Sequence, residues 1–248
     1  MGVDDALAPL LDLPDIAPAV ADARDAVDAA LRHRALRRSG GIVAAEVSLR
    51  SAVASAALSG HAYTVEEVRA GTVLDPVVQG ALRIAQQLPG LAETFAKAPR
   101  QVLARMHTVA ASGVLADSEL GRPVADPLVG ARLNALCDLV VAAAGDPIVR
   151  AAVVHGELLA LNAFAEGNGV VARAAARATL IGSGFDLRGL IAVDLGHRER
   201  EPEYVGSAHA FATGTVDGVR SWLKHYAAAI TIGAAEFTKI ADEVLGTA

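Results

Sequence analysis

The stretch from Asn162 to Arg173 reads Asn-Ala-Phe-Ala-Glu-Gly-Asn-Gly-Val-Val-Ala-Arg and carries the groups best placed to do chemistry. A helical pattern runs into it and another runs out, so Gly167-Asn168-Gly169 is expected to be a tight turn that opens a helix. Backbone amides converge at such a turn, and the positive end of the helix dipole points the same way, which suits a phosphate. Arg173, one turn into the helix, could add a charge-assisted contact. Glu166 beside an anion site makes sense where a divalent cation such as Mg2+ bridges carboxylate and phosphate. A plainer reading stands beside this one: the glycines serve the turn's backbone angles and Arg173 makes a surface ion pair. Spacing alone does not separate the two.

The elements that must position these residues are helices. Hydrophobic residues make up 53% of the 248 and aromatics 4%, and alanine is abundant, which favours closely packed helices over sheet and predicts an all-α fold. After an irregular lead-in over residues 1–14, Ile16, Val20, Val27 and Leu31 form one stripe running to about Arg38, where Ser39-Gly40-Gly41 interrupts. A second helix spans Ile42 to Ser59 and stops at Gly60. Thr64 and Glu67 have capping-box spacing, and Asp75-Pro76 opens a helix expected to reach about Leu88. Pro99 opens another, with Val102, Leu103, Met106 and Val109 inward, ending near Gly113.

Residues 113–127 form the longest non-helical connection, with room for one small β-hairpin. Leu128 to Ala144 is an apolar helix, and Asp146-Pro147 starts the next, whose Ile148, Ala152, His155, Leu159 and Asn162 share one face. Past the turn, a helix from about Val170 to Ser183 sets Arg173 and Arg177 one turn apart on one side. Shorter helices are expected over Leu187–Leu195 and Glu201–Ala212. Thr215–Leu245 is one helix or two, with Gly218 and Gly233 as the candidate breaks. There is no internal repeat and no low-complexity linker, so an N-terminal helical region, 1–98, and a core, 99–248, are expected to form one compact unit.

The net charge of −6 and the lack of basic runs argue against general nucleic-acid or anionic-membrane binding. The single basic cluster, Arg32 to Arg38, reads as a solvated helix end. One cysteine, Cys137, excludes an intramolecular disulfide and sits in an apolar run as expected core filler. The N-terminus lacks the positive region of a secretory signal, and Ala6 breaks the myristoylation pattern. No apolar run approaches the roughly 18 residues of a membrane helix. A cytoplasmic protein is expected.

The segment Phe164 to Arg173 resembles the signature of the Fic family, His-x-Phe-x-Asp/Glu-Gly-Asn-Gly-x-x-x-Arg, which usually has an arginine directly after the second glycine. Phe164, Glu166, Gly167, Asn168, Gly169 and Arg173 match at the right spacing. The resemblance implies an all-α, Fic-like helical bundle with an N-terminal helical extension. It also implies chemistry in which AMP passes from ATP to a hydroxyl of a target protein, with ATP and Mg2+ as ligands. Phe164, Gly167, Asn168, Gly169 and Arg173 would then be nucleotide-binding and Glu166 the metal residue. Gly121-Arg122-Pro123 is similar in position to the flap that places target side chains.

Two positions depart from the pattern. Asn162 stands where the family has its general-base histidine, and an amide cannot take the hydroxyl proton near neutral pH. Val170 stands at the first arginine position, removing a cationic contact to phosphate. His155 shares a face with Asn162 but lies two turns earlier, about 10 Å away along the axis, and is expected to be structural. His107 and His197 cannot be placed from sequence.

Upstream, Ser55-Ala56-Ala57-Leu58-Ser59-Gly60 resembles the family's inhibitory helix, Ser/Thr-x-x-x-Glu-Gly/Asn, with Ser59 in place of the glutamate. That glutamate is expected to pair with the first motif arginine, so Ser59 and Val170 read as the joint loss of an ion pair, with Ser55, Ser59 and Gly60 marking a vestigial regulatory segment. The reading that follows is a Fic-like binding or regulatory protein with impaired catalysis. Two alternatives remain: an active divergent nucleotidyltransferase modifying a protein hydroxyl, and a structural or protein-binding helical domain with no ligand. Homo-oligomerisation is left open.

Overall fold

A computed structural model describes residues 5–142 and 144–246. Residues 1–4, on which part of the N-terminal reading rests, lie outside them, as does Ala143 in the expected helix Leu128–Ala144. Among the described residues the chain is all-α: α1 (Ile16–Ala30), α2 (Ala35–Arg38), α3 (Gly40–Ala57), α4 (Val65–Arg69), α5 (Pro76–Phe95), α6 (Pro99–Ala111), α7 (Pro127–Ala142), α8 (Pro147–Leu161), α9 (Asn168–Gly182), α10 (Val193–Glu199), α11 (Glu201–Ala212) and α12 (Val216–Gly246), with no strand. None is long and apolar enough to cross a membrane.

The centre is the pair α8 and α9. Every residue from Val170 to Ile181 is buried, as is most of α8. Such all-round burial marks an interior helix rather than an amphipathic surface one. On one side α3, α5, α6 and α7 pack a cluster containing Phe95, Leu103, Met106 and Leu133. On the other, α1, α10, α11 and α12 pack Trp222, Tyr226 and Phe237. Both clusters draw residues from α8 and α9, so the turn between these helices is fixed from two sides.

Local chemistry explains the starts of α4, α5 and α8. Thr64 and Glu67 form the reciprocal capping box that opens α4. Asp75 and Asp146 cap α5 and α8 ahead of a first-turn proline.

Four expectations need correction. The first helix stops at Ala30, and a separate turn starts at Ala35, whose N–H donates to His33 Nδ1 at 3.3 Å. Instead of ending at Leu88, α5 runs through Pro89 to bury Ala92 and Phe95. Residues 187–192 are not helical, because the Asp186 carboxylate accepts the N–H groups of Leu190 and Ile191, each at 2.8 Å, and diverts them from helix formation. The connection 112–126 holds one isolated bridge, Ser112 to Leu115, instead of a hairpin. Meanwhile α12 is unbroken. A Cβ on Gly218 would lie 2.1 Å from the Ala210 carbonyl oxygen, so that glycine marks close helix contact instead of a break.

Candidate functional site

Where α8 ends, Asn162 takes the left-handed conformation, φ 46° and ψ 51°, which asparagine tolerates better than most residues. Its side chain is exposed. Two residues on, Phe164 is buried and stacks on His107 of α6, centroid to centroid 4.1 Å and 8° from parallel. Asn168 closes the turn through its side chain: Oδ1 accepts the Phe164 N–H at 2.9 Å, and Nδ2 donates to the Phe164 carbonyl at 2.7 Å. Gly167, at φ 74°, provides the left-handed residue that begins α9. No side chain caps this helix. The N–H groups of Asn168, Gly169 and Val170 are therefore the unpaired first-turn donors, in line with the helix dipole.

Arg173 is 2% exposed. Its Nε donates to Ser55 Oγ at 2.8 Å, Nη2 to the Ser55 carbonyl at 2.6 Å and to Ser59 Oγ at 2.7 Å, and Nη1 to the Tyr204 hydroxyl at 3.2 Å. Asp194 lies 3.9 Å from Arg173 Nε and 3.4 Å from Arg177 Nη1. Two guanidinium groups thus share one carboxylate. Burial pushes the Asp194 carboxyl upward despite the opposing pull of Arg177 and Arg173. The surface ion pair considered for Arg173 is not what forms, and its donors turn inward toward the end of α3.

The Ser55–Gly60 segment, read as having lost its ion pair with position 170, contacts the motif at another position. Ser59 meets Arg173, not position 170. Val170 is 4% exposed and faces a void of about 20 Å³ lined by Ser51, Ser55, Ile84, Leu88, Arg177 and Asp194. The segment contacts Arg173 through two hydroxyls and a carbonyl. Gly60, at φ 89°, follows the contact and ends the helical run.

Glu166 is exposed, and no group of three or more His, Cys, Asp or Glu among the described residues could hold a metal ion. A cation at Glu166 would have to take its other ligands from phosphate oxygens and water, which is common for Mg2+. The connection carrying Gly121, Arg122 and Pro123 does reach the turn. Val124 N–H donates to the Ala163 carbonyl at 2.9 Å, and Gly121 N–H donates to His107 Nδ1 at 2.8 Å.

His155 has no access to Asn162's surroundings. It is fully buried, 3.0 Å from the Tyr204 hydroxyl, and packs beside His197. Burial lowers its pKa well below the usual histidine value, with Arg173 adding to the effect. Cys137 is buried as expected, and burial raises its thiol pKa. Tyr204 and Asp194, which meet Arg173, lie beyond the motif, and no spacing in the sequence marks them.

Beside the turn, Leu58, Leu159, Gly169, Arg173, Tyr204 and His209 contribute to the lining of a cavity of about 230 Å³. That is below the roughly 300–1,000 Å³ typical of small-molecule sites.

No protein-family model matches the chain, and no curated protein matches it. Solved structures do. A Fic family protein from Desulfovibrio desulfuricans G20 aligns with a TM-score of 0.73 at 19% identity, covering 90% of this chain and 74% of its own. A fragment of Fic-1 from C. elegans aligns with a TM-score of 0.67 at 20% identity, covering 94% and 73%. A variant of that fragment gives 0.65 at 25% identity, covering 89% and 72%. The chain has the fold of Fic proteins.

Proposed function

We propose that this chain is a degenerate Fic family member that binds nucleotide phosphate at the Gly167–Gly169 turn and serves as a binding or regulatory protein without ordinary AMP transfer. The observation that carries this reading is the open first turn of α9, with three unpaired amides, next to an exposed amide at position 162. ATP with Mg2+ is the ligand pair that fits. The Asn168 and Gly169 amides would hold phosphate oxygens, Glu166 would supply the one protein carboxylate, and the cavity by Tyr204 would take the nucleoside end. The ion, when bound, neutralises phosphate charge. Asn162 can hydrogen-bond a target hydroxyl but cannot accept its proton, which removes a factor of roughly 10²–10⁴ in rate. No nearby histidine replaces it, because His155 is enclosed and His107 is tied on both ring nitrogens.

Calorimetry with ATP and Mg2+ tests the binding, and a flat titration at millimolar nucleotide would sink it. Asn162→His separates decay from divergence. A gain of labelled AMP transfer over the wild type supports a site that has lost its base, whereas efficient transfer by the wild type supports the active divergent enzyme. The burial of Arg173 favours a second reading, a helical protein whose turn stays empty. Loss of ATP binding on crowding the first turn of α9, by Gly169→Val, would count against it.

A further inference from the structure

We propose that the cavity at the far end of the α8–α9 pair binds a small organic carboxylate through Arg150. The cavity, of about 270 Å³, is walled by Phe95 of α5, Val140 of α7, Arg150 of α8, and Ala178, Thr179 and Ser183 at the end of α9. Arg150 stands near the start of α8, about 18 Å from Asn162 at a rise of 1.5 Å per residue, and nothing about the cavity requires a nucleotide at the Gly167–Gly169 turn. Three arginines are buried among the described residues. Arg173 and Arg177 share Asp194. Arg150, 6% exposed, has no ion pair among the described residues, and its one hydrogen bond there runs from Nη1 to the Ala144 carbonyl at a long 3.3 Å. A guanidinium carries five N–H donors, so most of this one's capacity is unused. A buried cation without a counter-charge is costly, and an anion in the cavity relieves that cost.

The carboxylates whose charge reaches Arg150, Asp146 and Asp5, are engaged elsewhere. Asp146 pairs with Arg24 at 2.6 Å and caps α8, and Asp5 accepts the Leu7 N–H at 3.0 Å. Burial lowers the pKa of Arg150 and these two carboxylates oppose the shift, but a guanidinium stays charged at neutral pH. Thr179 Oγ1 donates to the Ala175 carbonyl and Ser183 Oγ to the Leu180 carbonyl, each at 2.9 Å, so neither hydroxyl proton is free for a ligand. One planar fork is then the side-chain donor on the wall, and it matches a planar carboxylate through two parallel hydrogen bonds. A tetrahedral phosphate would find no second cation there. Phe95, Val140 and Ala178 are buried and give the rest of the ligand an apolar wall. An apolar cavity of about 150 Å³ admits benzene, so this larger one has room for a ring or a short branched chain beside the carboxylate. Gly182 is exposed and Ala96 and Ser183 are half-buried, which leaves a way in.

Titration of the full chain with benzoate, followed by amide NMR, tests this. Saturable shifts are expected at Phe95, Ala96 and residues 178–183, with a dissociation constant of about 1 mM or tighter, within the usual range for a ligand of about nine heavy atoms. Benzamide, with the same shape and no charge, should bind about tenfold more weakly or worse, and so should inorganic phosphate. Arg150→Met keeps an apolar stem and removes the fork. It should abolish the benzoate shifts while leaving the urea midpoint unchanged or raised, because no ion pair is lost. Equal saturation by benzamide overturns the proposal, as does phosphate binding as tightly as benzoate, or benzoate shifts spread over exposed arginines instead of the cavity amides. A lowered midpoint in Arg150→Met would reveal a counter-charge within the chain and also overturn it. Should that variant fail to fold, the comparison of benzoate with benzamide in the wild type decides.

Discussion

At the scale of single residues, the two departures from the Fic-like pattern differ physically. Asn162 is exposed and already sits in a conformation that histidine also visits more readily than most residues, so Asn162→His should change stability by no more than about 0.5 kcal/mol. Val170 is a core residue beside Arg177, with only the small void at its side. Val170→Arg would bury a third cation beside Asp194, which Arg173 and Arg177 already share, and should cost about 3–5 kcal/mol or prevent folding. Urea unfolding of the two variants makes the comparison. Equal stabilities would mean that Val170 is not enclosed as described. Restoring both motif positions at once is therefore a poor test of lost activity, because the second change attacks the fold. Arg173 shows the converse, a motif residue retained and also built into the interior by Ser55, Ser59 and Tyr204.

At the scale of elements, Pro89 is the clearest conflict between local preference and packing. It removes one backbone donor inside α5, yet the helix continues because Leu88, Ala92 and Phe95 are buried. Burying a phenylalanine side chain is worth about 1.5–3 kcal/mol, comparable to the roughly 3 kcal/mol cost of an interior proline. Pro89 is itself exposed, so Pro89→Ala should stabilise the protein by about 1–3 kcal/mol in chemical denaturation. A loss of stability would show that the proline's geometry is needed. Helix α8 delivers Asn162, and its start depends on Asp146, which accepts from Ile148 N–H at 2.8 Å and pairs with Arg24 at 2.6 Å. Asp146→Ala should cost about 1–2 kcal/mol by the same measurement.

At the scale of the whole molecule, the second core contains a histidine group that makes the fold sensitive to acid. His197 Nδ1 lies 3.0 Å from His225 Nε2, and His155 Nδ1, His197 Nε2 and His225 Nδ1 have no hydrogen-bond partner, with the Glu203 carboxylate 4.0 Å from His225 Nδ1. Burial lowers all three pKa values, His225 to about 4. Because the folded values lie below the unfolded 6.5, their contribution is complete above pH 6.5 and erodes as pH falls toward 4 and below. Each histidine can add up to about 1.4 kcal/mol per pH unit to that loss. Urea melts from pH 7.5 to 4.5 should show the decline, and His225→Phe should make it shallower. A stability flat across that range would contradict the neutral, enclosed cluster.

Much of this architecture was determined by sequence alone, because helix periodicity, capping residues and first-turn prolines act within a few positions of one another. The all-α class, the starts of α4, α5, α6 and α8, and the turn between α8 and α9 all follow from such local rules. So did the Fic-like likeness, since Gly167, Asn168 and Gly169 are contiguous and their roles are local. Tertiary structure decided what depends on distant partners. Pro89 could be read only as a stop until the residues beyond it were seen to be buried. Leu187–Ala192 looked helical until Asp186 was found holding its amides. Ser59 and Val170 together mark a lost ion pair in the sequence, but a motif gives order along the chain without direction in space; the contact that Ser59 makes, with Arg173, faces α3 because α9 is enclosed on every side. Tyr204 joins that contact from 31 residues further on. The open amides at Gly167–Gly169 belong to the sequence, and the setting that positions them belongs to the packing of α3, α6 and α11 around α9.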